Sequence, residues 1–285
     1  MPDLYHWHVD AAGVDDRWNG SGLADERSRD RIQSIERGVA VLRAFDRHQT
    51  ALNVAQIAQR CQLPRPVVRR ILLTYEHLGF VEGRDGLWSL TPRILELGAG
   101  YFAASSLPEI AHGYMVEVLE RTGEICSLGT LDGHDVIHVA RVDTHVPRPN
   151  SIRVGERLSA HATALGKVLL ASLSDQTLDE RLADAPFEAC TPHTITDAAR
   201  LRARILEVRA HGYDISIEEL YPGQVAAAVP IIVEGAAVGA LGISSTTVRQ
   251  DERSLREEAV PVMQAAAAGI ASAYRNANPH LFRVR

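Results

Sequence analysis

The stretch NVAQIAQRCQLPRPVVRRILLTY, Asn53 to Tyr75, carries two helical patterns separated by a break. Asn53 is placed to cap the first, with Val54, Ile57 and Ala58 facing inward. Leu63-Pro64 interrupts the chain, and Pro64 and Pro66 fix the entry into a second helix. Val68, Ile71, Leu72, Tyr75 and Leu78 then recur on one face until Gly79, a natural C-terminal stop. A short helix, a tight turn and a second helix with an open N-terminal face make a helix-turn-helix, whose second helix enters the major groove.

That open face is basic. Arg65 and Arg69 lie four residues apart, with Val67 and Arg70 nearby and Thr74 one turn further on. An arginine fork can bond guanine O6 and N7 together, worth ~1–3 kcal/mol of base discrimination.

Upstream, Ser34 is a plausible cap for a first helix with Ile35, Val39, Leu42 and Phe45 at helical spacing. Downstream, Phe80-Val81 and Leu87-Trp88-Ser89-Leu90 flank Gly83-Arg84-Asp85-Gly86, a hairpin with a turn-forming Asp-Gly. Three helices and a two-stranded wing make residues 31–91 a winged helix-turn-helix, with Arg84 at the wing tip a candidate DNA contact. The charge agrees. The chain carries −6 overall, residues 1–30 carry −4, and residues 31–91 carry +4. A basic segment in an acidic protein fits DNA binding confined to one module.

Residues 1–30 show no periodicity and read as a flexible leader, with no apolar core of a signal peptide. His6 and His8 there could bind metal only adventitiously. No apolar run reaches the ~18–20 residues of a membrane span. Cys61, Cys126 and Cys190 form no CxxC, so a reduced, cytoplasmic protein is expected.

Thr91-Pro92 opens a linker helix within residues 92–108, whose broad apolar stripe of Ile94, Leu95 and Leu97 suggests packing against a second subunit. Residues 109–278 then alternate helices with hairpins. Strands are expected at Ile125–Leu131, Val136–Val142, Tyr213–Ile217, Val225–Val233 and Ala237–Ser244. Helices are expected at Glu109–Thr122, Thr163–Leu173, Asp197–Ala210 and Asp251–Arg275. The fold class is therefore α+β with an antiparallel sheet.

The chain resembles the IclR family of bacterial regulators. SIERGVAVLRAF, QIAQRCQLPRPVVRRIL and Gly79-Phe80 look like its DNA-binding half, and WSLTPRILELG like its wing strand and linker helix. HATALGKVLLA from His161, GYD with the EE pair ending at Glu219, Ala228-Val229-Pro230 and ALGIS from Ala240 look like its effector half. Within the family, VLRAF, SLPEIA and CSLGTLDGHDVIHVARV look nearest to regulators of protocatechuate and β-ketoadipate catabolism. The resemblance implies a GAF-like effector domain, and a homodimer or homotetramer on a palindromic operator, acting as repressor or activator of a catabolic operon. Pro66-Val67 stands where the family often has Ser-Thr, and VDTHVPRP follows Arg141 where relatives read like PTRR. Val225 replaces a frequent arginine, and Ser216 an occasional Asp. These departures bear on operator sequence and effector identity and leave the architecture alone.

In the effector half, Ala162, Thr163 and Ala164 place small residues at a helix N-terminus, whose free N–H groups suit a carboxylate. Ala226, Ala228, Gly242 and Ser244 would line strands opposite, with Ser127 and Ser216 offering hydrogen bonds. Small residues also permit close helix–sheet packing, and the residues alone leave both readings open. With the resemblance, the expected effector is a small organic acid, aromatic in character. The absence of a basic group at Val225 favours a monoacid over a multiply charged one.

Two other classes compete. Cys126 with His161 could be imagined as a thiol nucleophile and base, although no third group accompanies them. The N-terminal module could instead bind protein. His134 and His138 are four apart, which along a strand spans ~13 Å, too far for one metal ion. No cofactor, metal site or catalytic set is indicated.

Overall fold

The computed structural model describes residues 31–46, 49–143, 152–183, 185 and 187–279. The expected leader, with His6 and His8, and the Thr144–Pro149 part of VDTHVPRP lie outside the described residues. The chain divides into two compact units between Ala104 and Ser105.

In the first unit, α1 (Gln33–Arg43), α2 (Val54–Cys61) and α3 (Arg65–Leu78) pack around Val41, Leu52, Ile57, Val68, Leu72 and Val81. Asn53 caps α2 in a reciprocal box: its Oδ1 accepts from Gln56 N, and its own N–H donates to Gln56 Oε1, both at 2.9 Å. Gly79 ends α3 in the left-handed region at φ 80°. Ser34 does not cap α1. The helix starts earlier, with its cap position at Ile32, two residues before Ser34, and the Ile32 carbonyl accepts from Ile35 and Glu36 N–H.

Strands β2 (Val81–Arg84) and β3 (Leu87–Leu90) form the wing. Asp85 and Gly86, at φ 51° and 79°, make the type I′ turn that suits a two-residue hairpin. A third strand, β1 (Ala51–Asn53), pairs with β3 and was not foreseen, since its three residues are too few for an alternation to show. Thr91 caps a 3-10 turn (Pro92–Leu95) that leads into α4 (Glu96–Ala104). Leu95, Leu97, Tyr101 and Phe102 are exposed there.

The second unit is one six-stranded antiparallel sheet between two helical layers. Its strands are β4 (Ile125–Asp132), β5 (Asp135–Val142), β6 (Arg157–Ser159), β7 (Asp214–Ile217), β8 (Gln224–Val233) and β9 (Ala236–Thr246), in spatial order β6-β5-β4-β9-β8-β7. Side chains alternate across the sheet. Cys126, Leu128, Val225, Ala227, Leu241 and Ile243 pack with α5 (Leu107–Thr122) and α9 (Val260–Ala277). Residues of opposite parity face α6 (Ala164–Ala171), α7 (Asp175–Ala183) and α8 (Ala198–His211). The short β6 and α7 were not anticipated. The expected closing helix is interrupted by a π turn at Leu255–Ala259, next to Pro261, which has no N–H to donate. Among the described residues, no helix is long and apolar enough to cross a membrane.

Candidate functional site

On α3, Val68 and Leu72 are fully buried, which turns Arg65, Arg69 and Arg70 outward. None of these three arginines is ion-paired with a carboxylate among the described residues. Val67 is half-buried. Thr74 is exposed, but its hydroxyl donates back to Arg70 O at 2.9 Å. At the wing, Arg84 is 80% exposed and pairs with Glu82 at 3.0 Å, a surface contact that competes weakly with a phosphate. Arg60, by contrast, is fixed on Ala44 O and Asp46.

The second unit holds an open-mouthed cleft of about 480 Å³, counted with the space that opens to solvent. One wall is the start of α6, where Ala162, Thr163, Ala164 and Leu165 line it. The other is the sheet, with Ser127, Ser216, Ala226, Gly242 and Ser244. Eight of the nine expected effector residues thus meet in one cleft. Ala228 lies outside the lining, fully buried in the helix–sheet packing beneath α6.

Packing also accounts for some of the small residues. A Cβ on Gly242 would meet Leu165 at 2.9 Å, and one on Gly166 would meet Ala160 O at 2.1 Å. These glycines let α6 approach the sheet and the preceding turn. Thr163 caps α6 by accepting from Gly166 N at 3.1 Å, and Ala164 and Leu165, the first residues of the helix, line the cleft with N–H groups that have no carbonyl four residues back in the helix.

Among the lining residues that sequence reasoning missed are His138, Ile152, Leu158, Leu220 and Gln224. Ile152 and Leu158 carry no motif, and Gln224 stands beside the position that drew attention. Val225 itself points into the α5/α9 core at 1% exposure. Inferring the acid's charge from Val225 therefore fails, because that side chain never reaches the cleft. Gln224 does, and its Nε2 donates to Ser244 Oγ at 2.9 Å.

Behind the cleft lies a buried ionic cluster. Lys167, fully buried on α6, reaches Asp214 Oδ2 and Ser216 Oγ at 3.4 Å each and donates to Glu219. Arg204 Nε donates to the second oxygen of Asp214 at 2.9 Å, and Ser216 donates to Glu219 Oε1 at 3.0 Å. The cluster joins HATALGK to the GYD and EE motifs, 47 and 52 residues further along. Thr194 Oγ1 donates to Glu219 O at 2.6 Å, anchoring the segment that carries Leu220 into the cleft.

Cys126 and His161 do not meet. Cys126 is in the α5/α9 core, where burial pushes its thiol up to about 12, and His161 lies on the other side of the sheet, bonded to Glu188 O at 3.0 Å. His138 is 2% exposed, and burial, aided by Arg141, lowers it to about 4. Burial likewise lowers His161, with the Glu188 carbonyl opposing. Both rings are neutral when folded, while the unfolded chain takes up protons near the ordinary histidine value of 6.5. The folded state should therefore hold its full stability above pH 6.5 and lose it as pH falls from there toward about 4, with His138 contributing up to about 3 kcal/mol. Melting curves of wild type and His138→Leu across pH 4–8 check this. A difference between them that does not vary with pH would contradict it.

The helix-turn-helix model of IclR matches residues 34–85, and the model described as bacterial transcriptional regulator IclR C-terminal matches residues 99–272. The Pca regulon regulatory protein of Pseudomonas putida is 35% identical over 83% of this chain and 82% of its own length. The p-hydroxybenzoate hydroxylase transcriptional activator of Acinetobacter baylyi is 32% identical over 84% of this chain and 90% of its own. A crystal structure of an IclR homologue of Microbacterium hydrocarbonoxydans complexed with 4-hydroxybenzoate superposes with a TM-score of 0.74, at 29% identity, over 85% of this chain and 99% of that one.

Proposed function

The chain belongs to the IclR family of bacterial transcriptional regulators, and from that premise we propose that it governs a catabolic operon by binding operator DNA under the control of a small aromatic acid. The observation that carries the DNA half is the row of exposed arginines on α3, none of them ion-paired among the described residues. Arg65, Arg69 and Arg70 face the bases, with Val67 and Thr74 beside them and Arg84 on a phosphate. An operator inside the cell makes the protein cytoplasmic.

The effector half rests on the cleft. Apolar side chains of Ile152, Leu158, Leu165 and Leu220 suit a ring, and the N–H groups opening α6 suit its carboxylate. The names of the Pseudomonas and Acinetobacter relatives and the ligand of the Microbacterium homologue support an aromatic acid. We assign DNA binding to residues 31–91, the linker to 92–108 and effector binding to 109–278. A homodimer or tetramer on a palindromic operator is supported by the exposed apolar side chains of α4. The separation of Cys126 from His161 supports regulation without catalytic turnover.

Fluorescence anisotropy with promoter fragments flanking the gene tests the reading. Specific binding should appear at low salt and shift several-fold on adding 4-hydroxybenzoate or a related ring acid. A chain that ignores every such fragment would end the DNA assignment. Undiminished binding by an Arg65→Ala/Arg69→Ala variant would move it off this helix.

A further inference from the structure

We propose that His138 reads a hydroxyl on the ring of the bound acid, so that the cleft selects hydroxy-substituted aromatic acids over unsubstituted ones. The proposal rests on the aromatic-acid reading above and adds the residue that sets the choice.

Among the described residues, four buried side-chain polar atoms lack a hydrogen-bond partner, and two are the ring nitrogens of His138. The others belong to Glu219 and Ser245, neither of which lines the cleft. The backbone of His138 is fully used: its N–H donates to Glu156 O at 3.0 Å, and its carbonyl accepts from Gly155 N at 2.7 Å. The residue is thus firmly held while its ring is left unsatisfied. An irregularity in the β4–β5 pairing produces the arrangement. Leu128 pairs with Ala140 and Gly129 with His138, so Val139 bulges and the imidazole stands opposite a residue without a side chain.

Several other polar side chains of the cleft already have partners. Gln224 donates to Ser244, Ser216 donates to Glu219, and Thr163 accepts from Gly166 N. An orphaned buried group of this kind is expected where a bound molecule completes it. A neutral imidazole offers one donor and one acceptor nitrogen. A phenolic hydroxyl is likewise both donor and acceptor, whereas a carboxylate accepts only and gains little from an uncharged ring.

Calorimetry on the full chain with benzoate, 3-hydroxybenzoate and 4-hydroxybenzoate provides the test, using wild type, His138→Leu and His138→Asn. Wild type should bind the better hydroxybenzoate about 10- to 100-fold more tightly than benzoate, as one well-made buried hydrogen bond allows. In His138→Leu the preference should collapse while benzoate binding survives, and the ligand-free protein should melt no lower at pH 7.5, because two orphaned polar atoms are gone. His138→Asn should keep part of the preference.

Equal wild-type affinity for all three acids, or an undiminished preference in both variants, would overturn the role of His138 and leave the aromatic-acid reading standing. Wild type that binds none of the three would sink both. A large loss of ligand-free stability in both variants at pH 7.5 would make the imidazole structural and also overturn the proposal.

Discussion

Lys167→Met should destabilise the effector unit by about 3–5 kcal/mol, the usual cost of removing one partner from a buried ion pair. For a unit of this size that lowers the melting temperature by roughly 10 °C. The side chain is fully enclosed, so no water replaces the ammonium beside Asp214 and Glu219. Arg204 still serves Asp214, which leaves Glu219 as the stranded charge. The double variant Lys167→Met/Glu219→Gln should therefore recover part of the loss. Calorimetric melting of the three proteins checks both statements. A single variant that melts within 2 °C of wild type would show that the cluster contributes little.

Arg69→Ala should flatten operator preference at the base pair it meets by about 1–3 kcal/mol, while binding to unrelated DNA changes little. Arg84→Ala should do the reverse. Loss of one phosphate contact weakens binding evenly across sequences and reduces the slope of log K against log salt by about 1. The two geometries motivate the contrast, since Arg69 projects from the exposed face of α3 and Arg84 from the wing tip. Binding of operator variants at several salt concentrations separates them. If both substitutions proved neutral, the docking face would have to lie elsewhere.

The parts legible in the sequence were those fixed by nearest neighbours. Asn53 announces a helix cap, Gly79 a helix stop and Asp85-Gly86 a turn, because each interaction closes within a few residues. The helix-turn-helix and the α+β class follow from such signals. Ser34 misled because the helix already begins at Gln33, which places Ser34 inside its first turn. In the cleft, most expected residues carried motif positions, but a one-residue ambiguity sent Val225 to the wrong face of the sheet. Lys167 stands in the HATALGK motif, yet its partners lie too far along the chain for spacing to reveal them. His138 could be weighed only as half of a metal pair, since its place in the cleft depends on the bulge at Val139.

The alternation of side chains across the sheet has an evolutionary consequence. Leu241 and Val225 maintain the fold from one side, while Gln224, Ala226 and Ser244 line the cleft from the other. Substitutions that retune chemical taste thus fall on positions the α5/α9 core does not use. Lineages descended from such a scaffold can drift among growth substrates without risking collapse, and a library restricted to those three ligand-side codons samples new inducers at little structural hazard.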